Sequence, residues 1–183
     1  MRPGRALSVL VAGLLVAGAV KAEVKKVQAE KSGTIITYHL VHPLHKIDAV
    51  SKDVDCTAEL DPGARSFSSV TVSVDVTTFD SNNSNRDSHA MEVIDALEYP
   101  ESTFTSKQIV QRGDSLFATG ALTFHGVTHD VTIAAKPEWS ASQVVVNGGF
   151  DILLSDYKVE RPSLLMIPVE NTLRFTLTAL FKL

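Results

Sequence analysis

A chain of 183 residues with 21 acidic and 17 basic side chains, a net charge of −4 and no basic run is a poor nucleic-acid binder, because phosphate recognition needs clustered Lys and Arg. Its 44% hydrophobic content suits one domain with a proper core. Cys56 is the only cysteine, so no disulfide can form within the chain and stability must come from packing.

Residues 1–22 read as a cleaved signal peptide. Arg2 and Arg5 make a basic start, Ala6 to Ala19 is apolar without an acid, and Val20-Lys21-Ala22 is a small-x-small cleavage site. The apolar run is shorter than the ~20 residues a membrane span needs. Cleavage removes three of the 17 basic residues and no acid, leaving 14 against 21. The expected location is periplasmic or secreted. Residues 23–33 are polar and read as a loose lead-in; the folded domain is expected over 34–183.

Thr34 to Leu40 alternates, Ile36, Tyr38 and Leu40 against Ile35, Thr37 and His39, which is a strand of period two. Pro43 marks a bend or an edge. Val54, Cys56, Ala58 and Leu60 alternate with Asp55, Thr57 and Glu59, and Asp61-Pro62-Gly63 closes that strand with turn chemistry. Cys56 is expected to be a buried, inert thiol. Val70, Val72, Val74 and Val76 alternate with hydroxyl and acidic residues, and their β-branching removes a helical reading.

Residues 85–98 are the one segment with a helical pattern. Met91, Ile94 and Leu97 recur on one expected face, and Ser84 or Asn85 is a candidate N-cap. Leu116 to Phe124 and Val127 to Lys136 then alternate on either side of His125-Gly126, the signature of a hairpin with a primed turn. By parity His129 faces inward as a hydrogen-bonded core residue. Val144, Val146, Gly148, Phe150, Ile152 and Leu154 form a further apolar face, and Leu173, Phe175, Leu177, Ala179 and Phe181 the last.

Strands with one buried and one wet face make an antiparallel sheet. The long series, with a single short helix, favours closure into an all-β barrel of around eight strands; an open sandwich fits the alternation almost as well. Small inward residues such as Ala118, Gly120 and Gly148 push towards an internal cavity, whereas larger residues opposite them could fill it.

Three blocks in order resemble the YceI-like family of exported proteins: Asn85-Arg86-Asp87-Ser88-His89, then Glu98-Tyr99-Pro100 with Thr103-Phe104-Thr105-Ser106, then Gly120 to Thr128. The resemblance covers Thr34 to the carboxyl end. It implies an antiparallel eight-stranded lipocalin-like β-barrel with one helical insertion, a long polyisoprenoid or related amphiphile inside, no cofactor, no catalysis, and a homodimer. Two stretches depart from the commonest family pattern, Tyr38 to Lys46 with its three histidines and the apolar run Leu164 to Ile167 between Pro162 and Pro168.

On this reading the protein carries or stores an amphiphilic ligand such as a polyisoprenoid, quinone or fatty acid derivative. Its tail would lie against Val72, Val74, Leu122, Val146, Phe150, Phe175 and Leu177, and its polar head near Arg86 and His89. Arg86 suits that role because a guanidinium fork binds phosphate or carbonyl oxygens in bidentate fashion, although an Arg-Asp pair at a helix start also explains it. Met91, Ile94, Leu164 and Leu165 would form a portal or lid. A lid is the leading reading of the Leu164 to Ile167 run, with a dimer contact or a transient contact with a membrane as the alternatives.

His39, His42 and His45 are candidate metal ligands only if Pro43 folds the chain back, since along one strand His42 opposes the other two. His125 is the first residue of a tight turn. A hydrolase or isomerase built from Asp87, Ser88 and His89 is disfavoured because adjacent residues do not make a triad. A structural or partner-binding stress protein with an incidental cavity is the other reading.

Overall fold

The structure is a computed structural model and describes residues 23–183. The expected signal peptide lies outside the described residues. In chain order the strands are β1 (Lys25–Gln28), β2 (Ile35–His42), β3 (His45–Ser51), β4 (Val54–Asp61), β5 (Ser66–Asp75), β6 (Glu101–Arg112), β7 (Ser115–Phe124), β8 (Val127–Trp139), β9 (Gln143–Leu153), β10 (Ser163–Leu164), β11 (Ile167–Pro168) and β12 (Thr172–Lys182), with helix α1 (Ser84–Val93) before β6.

Ten strands form one curled antiparallel sheet in the order β1-β4-β5-β6-β7-β8-β9-β12-β2-β3, and β10 and β11 make a separate small hairpin. The expected closed eight-stranded barrel is therefore corrected to an open, ten-stranded half-barrel. Two charged, weakly patterned strands account for the difference. Lys25–Gln28, within the lead-in that reads as loose, pairs with β4, and His45–Ser51 pairs with β2 through the turn at Pro43-Leu44. Among the described residues the outer side of β3 makes only the bridge between Val50 and Asp80. Charged side chains on the outermost strands, such as Lys25, Lys26, Lys46 and Asp48, disfavour pairing with another chain.

The alternation sorts residues as expected. On β4, Val54, Cys56, Ala58 and Leu60 are buried while Asp55 and Glu59 are exposed. His125 and Gly126 both take positive φ, 49° and 69°, and join β7 to β8 by the primed turn. A Cβ at Gly126 would stand 2.5 Å from the Tyr99 ring, so this turn also needs glycine for space.

Inside the curl, two packed regions lie at opposite ends. One end is filled: Cys56, Ala58, Leu60, Val144, Val146, Ala179 and Phe181 pack together, with Phe67 against Trp139 and Phe181 at ring centroid distances of 5.4 and 6.0 Å. At the other end Phe104, Leu122, Phe124, Ile133, Ile152 and Leu173 line a wider space. Strand pairing changes between the two. β8 and β9 pair only from Ala134–Gly149 to Trp139–Val144, so Val127 to Ile133 bonds to β7 alone. The gap is stopped by the 3-10 turn Leu154–Tyr157, whose Tyr157 ring sits 5.7 Å from that of Phe124.

The helix is shorter than expected. Asn83, not Ser84 or Asn85, caps it by accepting from the Arg86 amide (3.1 Å), and Asp95 at φ 46° ends it. Leu97 therefore lies off the Met91–Ile94 face and is fully exposed.

Candidate ligand cavity

The wide end of the half-barrel encloses a cavity of about 570 Å³, within the range of roughly 300–1,000 Å³ usual for small-molecule sites. Its walls come from four directions. β5 and β7 supply Val72, Val74 and Leu122; β9 and β12 supply Phe150, Leu173, Phe175 and Leu177; β2 supplies Ile36, Tyr38 and Leu40; α1 and the residue after it supply Met91 and Ile94. The Phe150 and Phe175 rings stack at 5.0 Å with 15° between planes, making one flat apolar wall.

Six of the seven residues expected against a ligand tail line this space. Val146 does not, and is corrected to the filled end, where it packs beside Cys56 and Phe181. Parity along a strand places a side chain on the inner face but says nothing about its height in the barrel. The portal residues Met91, Ile94 and Leu164 border the cavity, while Leu165 stands outside it on the β10–β11 tip.

No residue of α1 is fully buried. Its inner side, Met91 and Val93 with Ile94 after it, is partly buried against the edge of the core and also lines the cavity, so it covers the cavity as a lid. The loop before it is held by a compact polar knot. Asp87 accepts from the Ser81 amide and hydroxyl, and Arg86 donates from Nε to Ser81 Oγ (2.8 Å) and from Nη2 to Ser81 O (2.7 Å). Arg86 thus reaches the cavity with part of its fork already committed. His89, on the same rim, is exposed and lies 3.7 Å from Glu92.

Tyr38, Phe79 and Asp87 are cavity residues that sequence reasoning did not assign to the site. Burial, and then the charge of Asp87, raise the Tyr38 phenol pKa above its ordinary value, with Arg86 opposing. The Tyr38 ring rests 5.3 Å from that of Phe79. Tyr38 alternates with Thr37 and His39 on an amphipathic strand, so its face was legible and its proximity to Arg86 was not.

The three histidines do not converge. His39 is on the outer face, its Nδ1 2.7 Å from Asp48 Oδ1 and its Nε2 3.0 Å from Thr176 Oγ1. His42 is buried at the rim, where its Nδ1 accepts from the Leu44 amide (3.1 Å) and its Nε2 therefore carries the proton donated to Ile167 O (3.0 Å). With both nitrogens engaged it has no lone pair for a metal. His45 lies beside it, ring centroids 5.0 Å apart. Among the described residues no group of three or more His, Cys, Asp or Glu side chains is placed to hold a metal ion.

Two other histidines act as clamps. His125 Nδ1 donates to Tyr157 O (2.8 Å) and His129 Nε2 to Asp156 O (3.0 Å), fastening the turn that stops the gap between β8 and β9. His129 is exposed rather than in the core, because β8 has already separated from β9 at its level. The Asp87, Ser88 and His89 arrangement is not assembled, since Asp87 is engaged by Ser81 and His89 faces Glu92. The Asp48–His39–Thr176 row has a triad's order of groups, but its flanking amides are consumed in the β12–β2–β3 ladder and leave no oxyanion donors.

A YceI-like domain matches residues 23–179. The chain belongs to the YceI-like family. It is 28% identical over 155 residues to Protein YceI of Salmonella newport, covering 80% of this chain and 81% of the relative, and 28% identical over 153 residues to Protein YceI of Escherichia coli O157:H7, covering 79% and 80%. Among solved structures, Burkholderia cenocepacia BcnA superposes with a TM-score of 0.76 at 18% identity, covering 83% of this chain and 98% of that one. A polyisoprenoid binding domain from Saccharophagus degradans superposes at 0.62 with 10% identity, covering 87% and 99%. At these identities the two structures establish the fold. The chain thus combines membership of the YceI-like family with this fold and a largely apolar cavity.

Proposed function

We propose that this YceI-like protein is an exported carrier or store for a single-tailed amphiphile, a polyisoprenoid, quinone or fatty acid derivative, and that it performs no catalysis. The observation that carries the reading is the apolar cavity of about 570 Å³ whose polar groups gather on one rim. The tail lies between the Phe150–Phe175 wall and the Val72, Val74 and Leu122 face, beneath Met91 and Ile94. The head group meets the Tyr38 hydroxyl, the uncommitted Arg86 nitrogens and His89.

Burial of the tail supplies most of the affinity, at about 0.8 kcal/mol for each methylene removed from water. The rim sets orientation and selectivity, since a charge-assisted bond to Arg86 contributes only where the head carries an acceptor oxygen. A polyisoprenoid-binding neighbour of the same fold supports the ligand class.

Organic extraction of the purified protein followed by mass spectrometry tests this. A stoichiometric long-chain amphiphile is the expected result, and a protein that neither yields one nor takes up added isoprenoid alcohol or fatty acid overturns it. Arg86→Ala also loosens the Ser81 knot, so Tyr38→Phe is the cleaner probe of the head site. It should weaken a headed ligand about tenfold or less, the worth of one hydrogen bond, while leaving a pure hydrocarbon unaffected.

A further inference from the structure

Beside the cavity mouth, β10 and β11 form a hairpin whose two turn residues are Leu165 and Met166, both left-handed at φ 53° and 64°. These are positions that Asn and Gly fill without strain, and large apolar residues there are outliers. Neither side chain is buried in return: Leu165 is 74% exposed and Met166 95%. Their neighbours Leu164 and Ile167 are exposed too, as is Leu44 on the adjoining β2–β3 turn, which His42 ties to Ile167 O at 3.0 Å. Five apolar side chains thus project from one edge of the mouth, and the hairpin that carries four of them is, through Pro162, Ser163 and Leu164, also cavity wall.

We propose that this tip is a bilayer-docking wedge through which the cavity exchanges its ligand directly with a membrane. The proposal rests on the reading of the cavity as an amphiphile site. A second copy of the chain is the poorer occupant, because a convex two-residue tip with three flanking apolar side chains cannot supply the ~800 Å² per partner of a standard protein interface. A membrane needs no such area; a few side chains set into the acyl boundary suffice. The flanking charge does not oppose docking: next to the wedge in sequence Lys46, Lys158 and Arg161 offset Asp48, Glu160 and Glu170, although the chain as a whole is acidic. Continuity of the wedge with the cavity wall gives a long tail a path that avoids bulk water.

The test uses the Leu165→Asn/Met166→Gly double variant, which supplies the residues the turn geometry prefers and so keeps the hairpin. With mixed phosphatidylethanolamine and phosphatidylglycerol vesicles, the unaltered protein should float and the variant should partition at least about tenfold less, since one buried apolar side chain is worth about that factor. Transfer of a fluorescent fatty acid out of vesicles should slow in parallel, while uptake of the same fatty acid from detergent and the melting temperature stay unchanged or rise. Equal flotation of both proteins, or none by the unaltered protein, overturns the wedge. So does a dimer-to-monomer change in sedimentation of the variant with no change in flotation. If flotation falls but neither protein takes up fatty acid from detergent, the cavity reading fails and the docking surface stands.

Discussion

The filled and hollow ends of the half-barrel are built from the same strands by the same alternation. At the filled end Leu60, Val144 and Phe181 are almost wholly inaccessible, and β8 pairs with β9. At the hollow end the Phe150–Phe175 wall stays half-buried and those strands have parted. Small side chains do not explain the cavity, since Ala118, Gly120 and Gly148 are absent from its lining. Gly120 instead admits the β6 backbone, where a Cβ would come within 2.2 Å of Thr105 O beside the register shift at Ser106–Gln108. The space lies where β8 and β9 have separated, under a helix whose Met91, Val93 and Ile94 are only partly buried.

Truncation gives the sharpest test of that contrast. Phe181→Ala should cost about 3–5 kcal/mol in urea unfolding, the usual loss for a buried ring, while Phe175→Ala should cost roughly half as much or less because its ring is already partly unopposed. Equal losses would mean that the hollow end is packed in solution. Enlargement should show the reverse asymmetry. Val144→Phe overpacks a closed site at about 1–3 kcal/mol, whereas Leu177→Phe should cost under about 1 kcal/mol and reduce fatty acid uptake.

Titration gives the smallest difference, and each end holds one probe. Burial pushes the Cys56 thiol from 9.0 to about 12, and burial with the Asp156 charge pushes the Tyr157 phenol from 10.0 to about 12. Between those values the unfolded chain has released protons that the folded one retains, so stability should fall as pH rises from about 9 to about 12. Cys56→Ala should flatten the earlier part of the fall and Tyr157→Phe the later part. The Tyr157 hydroxyl is buried without a partner among the described residues, so removing it should be neutral or stabilising by up to about 1 kcal/mol at pH 7. A thiol that reacts with Ellman's reagent in the native state at pH 8 would contradict the packing described around Cys56.

How much of this was legible follows from what alternation encodes. β4, β7, β9 and β12 each bury one face, and β5 turns partly buried Val70 and Val72 and buried Val74 inward, so their inner residues were readable from period two alone. β6 was missed because Phe104 is its only buried residue and the register shift breaks its pattern. β1 and β3 escaped because charged edge strands carry little apolar signal. The helix was drawn too long because Leu97 kept the spacing of Met91 and Ile94, while the left-handed turn at Asp95 leaves no mark that spacing can show. Arg86 and His89 lie within the lid helix itself and border the cavity. The knot on Ser81 depends on a loop conformation that no periodicity encodes.

The position of β12 has a kinetic consequence. It follows every other strand in the chain yet lies between β9 and β2, joining Leu173 to Leu40 and Thr178 to Ile35 across more than half the sequence. Without it β2 and β3 have no other neighbouring strand in the sheet and keep the Val50–Asp80 bridge and the packing of Ile36 on Val54 and Val74, and the Phe150–Phe175 wall does not exist. Folding dominated by such distant pairings belongs to the slow class, milliseconds to seconds. The ligand chamber is therefore complete only when β12 is in place, so the wall that would hold a tail depends on the most distant pairing in the sheet.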